Sequence, residues 1–170
     1  MKTLVIYSSV SGYTKQYAKW IAEGLNCEAK DIKAVDVTTL NEYDCIIFGG
    51  CIYASKIRDL KLIKDNLSSL KKVIVFSTGL LADEKSVESF KTSNFDESML
   101  KRISYYHLLG GVDLKKLNFV SRTILSIVGK SIGSKNGEKV DFSNPIFLGS
   151  KEAIFPIIEE VKVYEKSLVK

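Results

Sequence analysis

Apolar and polar positions along this chain switch between two periods. Short apolar runs at Leu4–Tyr7, Asp44–Gly50, Lys72–Thr78 and Ile103–Leu109 have the length and content of buried parallel strands. Between them, apolar residues recur at helical spacing. Ala18, Ile21, Ala22 and Leu25 follow the first run, and Leu60, Ile63 and Leu67 lie within a predicted helix at Ile57–Leu67. Ile154, Ile157, Ile158 and Val161 form the stripe of a closing helix over Ser150–Ser167, where Pro156 either kinks the helix or marks its true first turn. A weaker strand is predicted between Cys27 and Val37. Glu84–Arg102 reads as helix with a break near Ser93–Asn94. Glycines end the later strands, at Gly49-Gly50, Gly79 and Gly110-Gly111. Strand and helix in alternation make an α/β chain with a five-stranded parallel sheet.

A chain of 170 residues with 45% apolar content suits one domain over residues 1–170. The apolar run behind Met1-Lys2 is too short for a signal peptide, and no stretch approaches membrane-spanning length. Cys27, Cys45 and Cys51 are an odd set without CxxC spacing, which points to a reduced, cytoplasmic protein without structural metal. His107 is the single histidine, so a Ser/His or Cys/His pair has only one place to form. Its position on a predicted buried strand favours packing. The net charge of +5 is concentrated between Gly110 and Val140, where Lys115, Lys116, Arg122, Lys130, Lys135 and Lys139 stand against Asp113 and Glu138. Such a segment is either a solvated face or a surface that draws anionic lipid, an anionic substrate or nucleic acid.

Leu4–Thr14 reads LVIYSSVSGYT: strand, hydroxyl-rich loop, helix start. Ser8, Ser9, Ser11, Tyr13 and Thr14 supply hydroxyls around Val10, and Gly12 lets the backbone turn its N–H groups inward. The dipole of the following helix points into the same loop. A phosphate monoester is held there without Lys or Arg. Two other phosphate-linked sites are excluded, and a P-loop hint fails. A phosphorylatable receiver needs acidic residues where Ser8-Ser9 and Gly49-Gly50 stand, GxGxxG is absent, and Gly129-Lys130-Ser131 lacks the earlier P-loop glycine, its place taken by Ile124.

The loop Ser9-Val10-Ser11-Gly12-Tyr13-Thr14 resembles the flavodoxin signature, a Thr/Ser-x-Thr/Ser-Gly-x-Thr turn that holds the phosphate of FMN. The resemblance implies a flavodoxin-like three-layer sandwich with strand order 2-1-3-4-5 and a ligand outside the carboxyl ends of the strands. It also implies that Gly50, Cys51, Ile52, Tyr53 and Ala54 form a first isoalloxazine loop, and Ser77, Thr78, Gly79 and Leu80 a second. Ile52 or Tyr53 would cover a ring face, and Cys51 would pack rather than react. Short electron-carrier flavodoxins have Gly-Asp where Ala54-Ser55 stands. Alanine tolerates a positive φ less well than glycine, which weighs against a one-electron carrier, as does the basic charge.

Asp113–Ile132 carries a helical apolar stripe of Leu117, Val120, Ile124, Ile127 and Val128, flanked by lysines and Arg122. A compact flavodoxin needs only a short link here, so the basic helix and its loop, about 112–145, are an insertion after strand five. The chain as a whole is similar to the flavodoxin-like, quinone-dependent protoporphyrinogen oxidase (protoporphyrinogen IX dehydrogenase) group. The similarity rests on Met1-Lys2-Thr3-Leu4, Ser8, Gly12-x-Thr14, Tyr43-Asp44 before Gly49 and Ile52, Ser77 with Leu80-x-Ala82, and Gly110 before the insertion. That group has Arg-Tyr where Tyr53-Ala54 stands here. The resemblance implies an FMN oxidoreductase of heme biosynthesis with a reduced apolar substrate and a quinone acceptor, the flavin carrying the chemistry. Lys115, Lys116, Phe119 and Arg122 would meet the substrate or, through 114–132, the inner face of a membrane. Nucleic acid is not an expected partner. An electron-carrier flavodoxin and a flavin-free interaction module are the alternatives.

Overall fold

The computed structural model describes residues 1–113, 115 and 144–169; the predicted insertion helix, with Lys116, Phe119 and Arg122, lies outside them. In chain order the strands are β1 (Thr3–Ser8), β2 (Glu28–Asp31), β3 (Cys45–Tyr53), β4 (Lys56–Ile57), β5 (Lys72–Gly79), β6 (Ile103–Leu109), β7 (Gly111–Val112) and β8 (Ile146–Phe147). The helices are α1 (Tyr13–Leu25), α2 (Lys61–Asn66), α3 (Glu84–Asn94), α4 (Glu97–Leu100) and α5 (Phe155–Ser167). Five strands pair in parallel in the order β2-β1-β3-β5-β6. Counted as parallel strands only, this is 2-1-3-4-5, the flavodoxin-like α/β fold.

Alternation along each strand divides the core into two layers. Val5, Tyr7, Ile47, Ile74 and Phe76 pack under Tyr17, Ala18, Ile21 and Ala22 of α1 and under Ile157, Ile158 and Val161 of α5. Leu4, Ile6, Ile46, Phe48, Val73 and Val75 face Leu40, Leu60, Ile63, Leu67, Phe95 and Met99. The sheet is therefore covered on both sides, as parallel sheets require. Pro156 falls in the first turn of α5, behind a short 3-10 turn at Lys151–Ile154. Its missing N–H is an orphan there in any case.

The region after β3 differs from the sequence expectation. The strand does not stop at Gly49-Gly50 but runs on to Tyr53. It then turns back through Ala54-Ser55 into β4, with Ile52 opposite Ile57 and Tyr53 opposite Lys56. Ile57 is thus a strand residue, and the helix predicted to begin there starts at Lys61. Ile57 is buried, and its spacing of three residues from Leu60 also fits a helical stripe, so the apolar pattern alone does not separate strand from helix. Ala54 and Ser55 both take positive φ, 46° and 64°, as a two-residue hairpin turn demands. An L-residue held there costs about 1–2 kcal/mol. Ala54→Gly is therefore expected to raise stability by roughly 1 kcal/mol, net of glycine's greater unfolded-state entropy. A urea titration of the two proteins checks this.

At the amino ends of the strands, Glu160 of α5 accepts from Lys72 Nζ (2.5 Å), Tyr106 Oη (2.7 Å) and Ser104 Oγ. Burial alone would raise this carboxyl, but the three donors outweigh it and hold it below the usual carboxylate range. A depressed folded-state value stabilises the fold above the unfolded value of about 4.3 and is lost as pH falls through the folded one. Melting temperature should therefore fall more steeply below about pH 4.5 in the wild type than in Glu160→Gln. Parallel profiles in a thermal-melt series would contradict this.

Candidate cofactor site

The carboxyl ends of β1, β3 and β5 carry the three predicted segments, and the sheet brings them together. Ser8 pairs with Gly50, and Cys51 with Thr78. Between β1 and α1 the chain turns at Gly12, which takes φ 99°. A side chain there would be strained; the glycine of the signature has a backbone reason. Gly12 N–H donates to Ser9 Oγ at 3.1 Å, which leaves the Ser9 hydroxyl proton to point elsewhere. Gly12 is also the N-cap of α1 and gives no side-chain cap, and no acidic residue stands in the first turn. The first N–H groups of a helix have no intrahelical acceptor, so Tyr13, Thr14 and Lys15 present donors and the positive end of a dipole. Val10 is exposed and Ser11 half-buried within the same turn.

Thr14 joins this turn to the second predicted loop. Its Oγ1 is 2.8 Å from Thr78 Oγ1, both residues buried. Ser8 Oγ donates to Asp59 Oδ2 at 2.5 Å. Asp59 holds φ 56° and sits 3.5 Å from Arg58 Nε. Neither Asp59 nor Arg58 is visible in the sequence as a site residue, because no glycine or turn motif marks the left-handed position.

The other predicted residues fall into two groups. Ile52 and Leu80 are half-buried and Tyr53 is 44% exposed at the hairpin end, beside Ala54. A Cβ on Gly79 would lie 3.7 Å from Ile52 Cβ, so the strand-three and strand-five segments touch at that glycine. Gly50, Cys51 and Ser77 are committed to the protein. A Cβ on Gly50 would stand 2.6 Å from Ile57 and 2.7 Å from the Arg58 carbonyl. Burial pushes the Cys51 thiol up, with Arg58 and the Val10 backbone only partly opposing it. That thiol stays protonated at neutral pH.

Ser77 is wholly buried and lies 2.7 Å from both His107 Nδ1 and Tyr105 Oη. His107 Nε2 is 2.8 Å from the Leu81 carbonyl. A carbonyl only accepts, so Nε2 carries the proton. In the neutral ring Nδ1 then accepts from Ser77, whose oxygen accepts from Tyr105. Burial pushes the His107 pKa down, against the smaller effect of the Leu81 bond. The single histidine has thus found a serine, but one closed to any substrate. The chain Tyr105–Ser77–His107–Leu81 positions the loop after β5 instead.

The donor set fits the phosphate end of FMN. Uncharged N–H and O–H groups converge at a helix start that has no side-chain cap, behind a left-handed glycine. No His/Cys/Asp/Glu cluster suited to a metal ion occurs among the described residues.

The fold is that of a flavodoxin-type α/β domain, and the three predicted loops meet at the carboxyl ends of its parallel sheet. The chain belongs to the flavodoxin domain family, whose model matches residues 4–139. Membership supports an FMN flavoprotein, an oxidoreductase or electron carrier. The chain is 36% identical over 81 residues to the uncharacterized protein MJ0298 of Methanocaldococcus jannaschii, a match covering 46% of this chain and 54% of that protein. The match thus spans about half the length of the curated relative. Among solved structures, oxidised Flavodoxin 1 from Bacillus cereus is 23% identical, covering 64% of this chain and 84% of that one, with a TM-score of 0.47. A flavodoxin from the domain Archaea is 20% identical, covering 81% and 100%, with a TM-score of 0.43. The WrbA-like flavodoxin of Agrobacterium tumefaciens is 20% identical, covering 61% and 81%, with a TM-score of 0.45.

Proposed function

We propose that the chain is an FMN-dependent oxidoreductase that oxidises a reduced, apolar substrate and passes electrons to a quinone, with protoporphyrinogen IX as the candidate substrate. The observation that carries the FMN reading is the uncapped α1 start behind Gly12, tied to β5 by the Thr14–Thr78 bond. When bound, FMN supplies the hydrogen- and electron-accepting chemistry. Ser9, Ser11 and the first N–H groups of α1 would hold its phosphate. Ile52, Tyr53 and Leu80 would cover the ring with apolar surface, and the His107 chain would keep the Leu81 carbonyl in place.

Two features favour an enzyme over a one-electron carrier. Ala54 stands where short electron carriers place glycine, so turning its peptide on a change of flavin state carries a steric cost that glycine does not. The basic excess on the segment after β6 has the wrong sign for acidic docking and the right sign for propionates or anionic lipid head groups. Among the described residues no helix is long and apolar enough to cross a membrane. Contact at the membrane surface, by Lys115 and the residues that follow it, is part of the same proposal.

A visible spectrum of the purified, FMN-reconstituted protein is the first test, and anaerobic oxidation of protoporphyrinogen with an added quinone is the second. Flavin bands together with quinone-dependent oxidation are the expected result. Flavin bands without oxidation, with a stable long-wavelength band on stepwise reduction, would assign the carrier instead.

A further inference from the structure

Where the chain leaves β6 it forms a two-stranded ribbon, β7 against β8, with Gly111 opposite Phe147 and Val112 opposite Ile146. The ribbon closes the base of the insertion, and that base rests on the first turns of α1. The Phe147 ring lies flat on Tyr13, with centroids 5.1 Å apart and planes within 2°. It also meets Tyr17 at 5.8 Å and Trp20 at 6.1 Å, so three rings on one face of α1 converge on one residue more than a hundred positions away. Gly111 lies close against the Tyr13 ring: a Cβ there would stand 2.8 Å from Tyr13 Cε2 and Cζ. Leu148 N–H donates to the Gly110 carbonyl at 2.9 Å and anchors the ribbon to the end of β6, and Tyr17 Oη donates to the Leu109 carbonyl at 2.7 Å and ties α1 to the same point.

Tyr13 is the first residue of α1, and its N–H heads the donors aimed at the phosphate. The start of α1 is therefore held from two directions, by Thr78 beneath Thr14 and by Phe147 on Tyr13. We propose that Phe147 is a positioning residue for the phosphate end of the cofactor site, fixing through Tyr13 the direction in which α1 presents its first N–H groups. The proposal rests on the FMN reading above. Its physical content is preorganisation. With Phe147 gone the first turn of α1 frays, and the donors must be ordered when the phosphate arrives. Linkage makes the effect reciprocal, so a bound phosphate must in turn stabilise the ribbon. Phe147 is 37% exposed on a peripheral ribbon and belongs to neither core layer, touching one of them only at its edge through Tyr17 and Trp20.

Riboflavin, which lacks the phosphate, separates this role from general stability. Affinities for FMN and riboflavin are measured by quenching of flavin fluorescence for wild type, Phe147→Ala, Phe147→Leu and Phe147→Trp, each checked by thermal melt. The preference for FMN over riboflavin is expected to fall about fivefold in Phe147→Ala and Phe147→Leu, the order set by a lost aromatic stack, and to return in Phe147→Trp. Riboflavin affinity should not change. Hydrogen exchange at Val112 and Phe147 should slow with FMN and not with riboflavin. A full preference in Phe147→Ala, or equal weakening for both flavins, would overturn the proposal alone. A wild-type protein that shows no preference for FMN would overturn the cofactor reading itself.

Discussion

Gly12→Val is expected to abolish stoichiometric FMN binding while the sheet stays folded. Gly12 holds φ 99°, a region that a β-branched residue occupies only under strain. Strain of that kind costs about 1–3 kcal/mol, and relief requires the turn to re-form with its N–H groups facing elsewhere. The same residue caps α1 and donates to Ser9, so a re-formed turn disturbs the helix start and the hydroxyl together. A loss of at least about a hundredfold in FMN affinity is expected, since strain and lost donors add. Fluorescence quenching measures it, and circular dichroism verifies the fold. A variant that retains one tightly held flavin per chain would remove the phosphate turn from the account.

Gly49→Val carries the largest expected effect on stability. Gly49 lies in β3, flanked by β1 and β5, and its Cα faces the ring of the wholly buried Phe76. A Cβ at Gly49 would come within 2.5 Å of Phe76 Cε1 and 2.6 Å of Cε2. Ring and strand are both enclosed, so neither has room to yield, and overpacking of this kind costs about 3 kcal/mol or more. Urea unfolding of the flavin-free protein measures it. Loss of flavin affinity at unchanged stability would instead mean that Gly49 is small for the ligand's sake and not for Phe76.

These two glycines mark how far the sequence could be read. Gly12 was legible because its neighbours are chemical: hydroxyls, a strand before and a helical stripe after. The strand order followed for the same reason, each buried strand being a run too apolar to be anything else. Gly49-Gly50 misled, since glycine after an apolar run signals a strand end, whereas here it makes room for Phe76 on one face and for Ile57 and the Arg58 carbonyl on the other. The β3–β4 hairpin stayed hidden because Ala54-Ser55 carries no turn signal and Ile57 fits a helical stripe as well as a strand. His107 lies on a strand as expected, but on the half-buried edge strand β6 and not a buried one, and its bonds to Ser77 and Leu81 join residues 30 and 26 positions away. Phe147 gave no sign at all. Its partners lie at the far end of the chain, and only the closed fold brings them within stacking distance.

The central claim is that FMN is gripped by its phosphate at the turn between β1 and α1. A crystal structure of the protein grown with FMN tests it most directly. The expected map shows the phosphate at Ser9–Thr14, accepting from the Tyr13 and Thr14 N–H groups. A phosphate bound anywhere else, or a flavin absent from the carboxyl ends of the strands, would contradict it.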